Sequence, residues 1–391
     1  MKNKLKFLLI LSLLGNVLLA IFLFPSNVIR VKFLAYKIFG FQTPNEIPSF
    51  NSLVLVQDFK PKSVLEAPDT RNFKLPSVPI VETHGHLGKM FRTNPEEVSK
   101  DLTELGIKKF INLSFTTGED FVNLKKEYSD PRIIHFSTFN WKRLNEDNFA
   151  EKMLADLKID IANGSKGIKL WKNFGLNLKK KNGERLRLDD PELDPLFVEC
   201  AKSGLIISIH TADPVAFFSP IDERNERYEE LLRHPEWSFA AKEFPKLDQV
   251  LAERNALFKR HPTLTFVALH FGEMANELAN AEKFLQDHPN VYVDIAARID
   301  ELGRQPYKAK AFLTKYADRI LFGVDGPPDR GKLEVYSRFL ETTDEYFDYY
   351  PLHKPRKGFW KIYGLGLDKA TLEKIYFKNA EELFLAKLQR R

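Results

Sequence analysis

The sequence predicts an α/β chain folded as a (β/α)8 barrel of the TIM type, with a transmembrane or signal-anchor segment at its N-terminus and additional helices at its C-terminus. Three observations lead there. From Ile80 onward eight short apolar runs alternate with amphipathic stretches, as eight strand and helix repeats require. Polar residues stand at the ends of several of these runs, where a barrel gathers its strand ends around one cavity. No glycine-rich turn follows the first run, although an open doubly wound sheet usually carries one.

At the N-terminus, Lys2, Lys4 and Lys6 precede an apolar run from Phe7 to Phe24 that only Ser12, Gly15 and Asn16 interrupt. A basic start followed by such a run reads as a signal anchor or signal peptide over residues 1–27. The uncleaved anchor is preferred, because no small-x-small cleavage site follows Ala20. The expectation is a chain held at the membrane by one segment with its body extracytoplasmic, or secreted if the segment is cleaved. Residues 28–77 hold Pro44, Pro48, Pro61, Pro68 and Pro76 with little periodicity, and read as a tether and irregular strap. Residues 78–391 then form the barrel and its C-terminal helices.

The strand-like runs are Ile80–Thr83, Ile107–Phe115, Ile133–Phe139, Gly167–Trp171, Leu205–His210, Thr265–His270, Val291–Ile295 and Ile320–Asp325. Helical patterning covers Pro95–Leu105, Asn148–Ala162, Pro191–Ser203, Leu247–Arg260, Glu273–Asp287 and Pro306–Tyr316. Beyond Asp325, helices over Lys332–Tyr346 and Asp368–Phe377 are expected to pack on the last strand and the lower rim.

With 43% hydrophobic and 29% charged residues the 391-residue chain is globular in composition. Its net charge of +6 is matched by Lys2, Lys4, Lys6, Arg30, Lys32 and Lys37, which face no acid within residues 1–45. The rest is formally neutral, so no nucleic-acid partner is indicated. The single Cys200 excludes an internal disulfide.

The chain is organised around P-I-V-E-T-H-G-H-L-G at Pro79–Gly88. In an extended strand, residues two apart share a face, so Glu82, His84 and His86 project together and the two imidazoles can hold one metal ion. His210 ends L-I-I-S-I-H, His270 ends T-F-V-A-L-H, and Asp325 ends I-L-F-G-V-D. Four histidines and an aspartate at strand ends point jointly to a site. Alternation puts Lys169 and Trp171 on one face of the fourth strand and Lys166 and Ile168 on the other, so only one of these lysines faces the cavity.

Together with S-K-G-I-K-L-W at Ser165–Trp171, I-H-T-A-D-P at Ile209–Pro214, A-L-H-F-G at Ala268–Gly272 and L-F-G-V-D-G at Leu321–Gly326, these residues give a chain that resembles the amidohydrolase superfamily. The likeness is to its amidohydrolase-2 branch, which includes aminocarboxymuconate-semialdehyde decarboxylase-like enzymes. That branch is usually written D-x-H-x-H, and here Glu82 takes the first place. The resemblance implies that His84, His86, His210 and Asp325 bind a divalent metal, zinc first and manganese, iron or another first-row ion as alternatives. It also implies that His270 and Asp325 are catalytic, His270 as base or electrostatic partner and Asp325 as a proton acceptor from water. In some members of the wider superfamily a fourth-strand lysine is carboxylated and bridges two metals. Lys169 matches that place loosely, and the other readings are an ammonium contacting substrate or water and a solvated rim lysine.

The long connection after His210 reads as a lid. Asp213, Asn225, Glu226 and Arg227 are candidate substrate contacts there, with Phe217 and Phe218 covering the cavity, while E-R-Y-E-E-L-L-R also reads as an exposed helix. Arg298, just past the seventh strand, suits a substrate carboxylate or an ion pair with Glu301 or Asp294. The expected function is a metal-dependent hydrolase using metal-activated water on a carbonyl-type carbon of a small-molecule substrate, carboxylated substrates included. A non-oxidative decarboxylase and a membrane-tethered binding barrel without catalysis are the alternatives, and a homo-oligomer is left open.

Overall fold

A computed structural model describes residues 64–65, 74–350 and 357–386, and the barrel lies within the compact unit Leu65–Arg391. Eight parallel strands follow one another: β1 (Ile80–Gly85), β2 (Ile107–Leu113), β3 (Ile133–Phe136), β4 (Gly167–Leu170), β5 (Ile206–Ile209), β6 (Thr265–Ala268), β7 (Val291–Asp294) and β8 (Ile320–Leu321). Each is followed by a helix: α1 (Pro95–Glu104), α2 (Glu119–Glu127), α3 (Phe149–Ala162), α4 (Asp194–Lys202), α5 (Leu247–Arg260), α6 (Leu278–Asp287), α7 (Pro306–Lys315) and α8 (Arg330–Glu341). Asn94 and Asp329 cap α1 and α8 by accepting from backbone N–H groups of the first turn.

The ladders form two arcs, β1–β2–β3 and β4 through β8 in order. Two seams join them. Ser137 N donates to Gly167 O at 3.0 Å and Lys169 N to Ser137 O at 2.8 Å, while Thr83 N donates to Phe322 O at 3.0 Å and His86 N to Gly326 O at 3.1 Å. The ring is therefore closed, as a (β/α)8 barrel must be.

Strand alternation sorts the core into two layers. Ile107, Phe110, Ile168, Ile207 and Phe266 belong to the larger cluster that reaches the helices. Val81, Ile111, Ile134, Phe136, Ile206, Val267 and Leu321 form a second cluster, joined by Ala380, Leu383 and Phe384 from beyond α9 (Lys369–Glu373). The C-terminal helical segment thus packs into the mouth opposite the strand-end histidines. That extends the expected packing on the lower rim, because side chains of this segment enter the barrel's own core.

Several boundaries differ from expectation for physical reasons. β8 leaves its ladder with β7 after Leu321, and beyond it the chain bonds to β1 instead, where Gly323 lets it pass close to His84. α6 begins at Leu278 instead of Glu273, because a left-handed turn occupies residues 270–273. α8 ends at Glu341 because Thr342 is extended and returns its hydroxyl to Arg338 O. α2 has no counterpart among the helical stretches read from the sequence.

The expectation of a membrane-anchored chain with an extracytoplasmic body is corrected: among the described residues, no helix is long and apolar enough to cross a membrane. The expected anchor, residues 1–27, and most of the strap lie outside the described residues. The end of the strap is described, and there Leu75 packs on the main core and Ser77 N donates to Glu341.

Candidate metal centre and active site

The strand ends deliver the expected residues to one mouth. On β1 the register shifts between Glu82 and Gly85, a bulge-like irregularity that re-aims the chain where it carries its imidazoles. The rings of His84 and His86 lie 5.2 Å apart, His84 and His270 4.6 Å, and His210 and His270 4.2 Å. Asp325 Oδ1 is 3.2 Å from His86 Nε2 and 3.6 Å from His84 Nε2. Ligand atoms of His84, His270 and Asp325 all fall within 4.8 Å of one another.

The backbone fixes which nitrogen each ring presents. His86 Nδ1 lies 3.0 Å from Leu113 O and His270 Nδ1 2.9 Å from Ala296 O, so each of these nitrogens carries the proton and donates. The Nε2 lone pairs are left for a ligand. His84 is held differently. Its Nδ1 lies 2.7 Å from Asp294 Oδ2, and Asp294 Oδ1 accepts from the backbone N–H of His270 at 2.6 Å.

Burial drives the electrostatics. Desolvation holds His84, His210 and His270 well below the ordinary imidazole value, with Lys169 adding to the effect at His84 and His210. Neutral imidazoles are the form that binds metal. Lys169 is fully buried, pushed down to about 7 by desolvation, with Nζ 3.4 Å from His84 Nε2. Glu82 is pushed up to about 8 by burial. Its Oε1 accepts from His84 N and Val324 N at 2.8 and 3.2 Å, so the longer acid in place of the usual aspartate stitches β1 to the chain after β8.

Strain collects at this end of the barrel. Non-glycine residues with positive φ include Ala212 after β5, His270, Phe271 and Glu273 after β6, Ala297 after β7 and Asp325 after β8. With Gly272 at φ 58°, residues 270–273 form four consecutive left-handed positions. Each non-glycine residue so placed costs about 1–2 kcal/mol, a strain characteristic of functional sites.

A cavity of about 560 Å³ opens above the cluster. Phe91, Phe115 and Trp171 form one wall, where Phe91 and Phe115 stack on His86 and Trp171 lies 5.5 Å from Phe115. Phe217 and Trp237 from the connection after β5 form another, and Phe218 packs instead on Phe239. Lys169 and Trp171 both face the cavity, as alternation requires. His234 also lines it and stacks on Trp237, whereas His353 lies outside the described residues.

The candidate substrate contacts are already engaged. Asp213 pairs with Lys172 at 2.5 Å and lies 3.5 Å from His210 Nε2. Arg227 is buried and binds Glu230, Asp300 and Glu301. Arg298 makes two bonds to Glu273, 2.7 and 2.6 Å, so its ion-pair alternative is formed, with neither Glu301 nor Asp294 as the direct partner. Asn225 holds loop carbonyls and Glu226 holds Arg304. The helix read as exposed is a short one, Tyr228–Arg233, with Glu229 and Glu230 buried, because Arg227 and its carboxylates lie beneath it.

The residues present fit a first-row divalent ion: neutral imidazoles and one carboxylate converge, and among the described residues the buried His210 Nε2 has no hydrogen-bond partner. Sequence reasoning missed Asp294 as a support of this group. Its only sequence signal is an acid closing an otherwise apolar strand, V-Y-V-D.

Among solved structures, the chain is similar to a dihydroxybenzoic acid decarboxylase from Polaromonas sp. JS666 with bound manganese and the inhibitor 2-nitroresorcinol. Identity is 13%, coverage is 80% of this chain and 98% of that one, and the TM-score is 0.50. It is also similar to a 4-oxalomesaconate hydratase from Rhodopseudomonas palustris, at 14% identity, 80% and 97% coverage and TM-score 0.45. A probable 2-pyrone-4,6-dicarboxylic acid hydrolase from Acinetobacter baumannii matches at 14% identity, 78% and 99% coverage and TM-score 0.45. No curated protein matches the chain. The first of these likenesses supports the barrel fold. A family model described as amidohydrolase matches residues 144–385, more than half of the chain and wholly downstream of the H-x-H. On that match, joined to the strand-end motifs, this chain belongs to the amidohydrolase family, in its amidohydrolase-2 branch.

Proposed function

We propose that this protein is a metal-dependent hydrolase acting on a small, carboxylate-bearing substrate in the cavity at the C-terminal mouth of the barrel. The observation that carries the reading is the convergence of His84, His270 and Asp325 ligand atoms within 4.8 Å, with His86 Nε2 beside them. His84, His86 and Asp325 hold the ion, and one imidazole of the close His210–His270 pair completes the set. Distance favours His270 and the sequence pattern favours His210. Zinc is the first candidate, and the ion when bound supplies Lewis acidity toward a carbonyl and toward water.

The chain's own groups do the rest. Asp325, whose side chain is 35% exposed and faces the cavity, accepts and returns a proton. The imidazole left free of the ion orients the attacking water and steadies the charge that develops on it. Lys169 Nζ sets a donor beside His84 for a developing negative charge. The aromatic walls exclude water and orient a planar group.

Decarboxylation is the second reading. Support for it comes from Lys169, which among the described residues forms no carboxylate ion pair and is placed to take a substrate carboxylate. The likeness to the Polaromonas decarboxylase agrees with it.

Metal content of the wild type, of His84→Ala/His86→Ala, and of His210→Ala and His270→Ala separately tests the proposal by mass spectrometry. Stoichiometric metal lost in the double variant is expected, and the single variant that loses it identifies the remaining ligand. A folded protein that stays metal-free after reconstitution with zinc, manganese and iron overturns it. Screening amides, esters, lactones and aromatic acids for water-dependent cleavage against carbon dioxide release then separates the two reactions.

A further inference from the structure

Arg254 lies on α5, outside the cavity, with none of its surface exposed and, among the described residues, no carboxylate ion pair. Its Nη1 donates to Gly272 O at 2.6 Å, while Nε and Nη2 donate to Asn255 Oδ1 at 3.1 and 3.0 Å. The guanidinium sits 4.5 Å from the Phe284 ring. Burial pushes it down to about 9. A buried cation without a paired anion is unfavourable, and an apolar side chain would fill the same space better. The feature therefore needs a reason other than stability.

The reason lies in what Gly272 belongs to. Its carbonyl is in the middle of the left-handed turn His270–Glu273, whose first residue faces the cavity and whose last grips Arg298. Inside the turn only short backbone bonds help, Gly272 N to Leu269 O at 3.0 Å and Met274 N to Phe271 O at 3.2 Å. Such a turn persists only where its surroundings over-determine it. Asp294 fixes the N–H of His270, and Ala296 O fixes its ring. The charge-assisted bond from Arg254 fixes the turn's centre.

We infer that Arg254 is a positioning residue: through the Gly272 carbonyl it holds the strained turn that aims the His270 imidazole into the cavity. The inference rests on the reading of His270 as a member of the site. It assigns Arg254 no contact with substrate or metal.

The test is nuclear magnetic resonance of the histidine rings in the full chain, with His270 assigned by its absence in His270→Ala. In Arg254→Met the His270 ring signals are expected to shift or broaden while those of His135, on β3, stay in place. Arg254→Lys, which keeps one donor, is expected to restore them in part. If His270 signals in folded Arg254→Met match the wild type, the inference is overturned. If Arg254→Met does not fold, Arg254→Gln, neutral and too short to keep the charge-assisted bond to Gly272 O, decides: displaced His270 signals uphold the role and wild-type signals overturn it. Metal content, measured separately, reports on the proposed function, so a metal-free protein with displaced His270 signals sinks that reading and leaves this one standing.

Discussion

Asp294 holds His84, with Oδ2 2.7 Å from Nδ1, and its other oxygen holds the backbone of His270. Burial lifts the carboxyl only to about 6, so it is ionised at neutral pH and accepts both bonds. Asn offers one oxygen for two donors. Asp294→Asn is therefore expected to weaken metal binding by about 10–100-fold, the usual range for a support of this kind. Competition with a chelator of known affinity measures it, and an unchanged affinity would remove Asp294 from the site's design.

His135 predicts an acid limb in stability. Its Nε2 donates to Tyr128 O at 2.9 Å and its Nδ1 accepts from Asn112 Nδ2 at 3.3 Å, while Asn112 Oδ1 is taken by Leu87 N. Only the neutral ring suits these partners, and desolvation lowers the group to about 4. The unfolded chain binds the extra proton between about pH 6.5 and 4, so stability rises with pH across that window and is lost on acidification. The contribution is at most about 3 kcal/mol. Urea unfolding of His135→Gln is expected to show a correspondingly flatter dependence over this range, and parallel pH profiles would refute the assignment.

Arg227 neutralises Glu230, Asp300 and Glu301 below the cavity's rim. Removing a buried charge from its partners costs about 3–5 kcal/mol. Arg227→Leu should lose that much in chemical denaturation, and adding Glu301→Gln should recover part of it. A loss under about 1 kcal/mol, the level of a solvated pair, would contradict the burial.

Phe384 packs against Phe136 with ring centroids 6.0 Å apart, at the mouth opposite the site. Phe384→Ala is expected to cost about 3–5 kcal/mol, as large-to-small changes in a core do. Thermal melting checks this. Metal stoichiometry should not change, since the site lies at the other end of the barrel.

Much of this was legible in the sequence because barrel strands are short apolar runs whose last residues face the mouth. His84, His86, His210, His270 and Asp325 could be placed together on that ground alone, and alternation aimed Lys169 inward. Asp294 was hidden because its partner is distant in sequence, and an acid closing a strand looks the same whether it meets solvent or an imidazole. Arg254 was hidden because a charged residue on an amphipathic helix ordinarily faces water. The left-handed turn at 270–273 runs against the preference of three of its four residues, and only the surrounding bonds sustain it. Arg227 and Arg298 were sensed as functional or paired, but which carboxylates they take depends on loops that local patterns do not place.

The two arcs of the barrel give the site a further consequence. His84 and His86 come from the three-stranded arc, whereas Lys169, His210, His270 and Asp325 come from the five-stranded one, and the backbone bonds of Thr83, His86 and Gly326 close the ring between His84 and Asp325. A ligand that grips both sides recognises only the closed ring, so its binding free energy is also a clasp against local opening. Amide hydrogen exchange at Thr83, His86 and Gly326 should slow when the site is filled. What the site binds would then seal that join of the barrel.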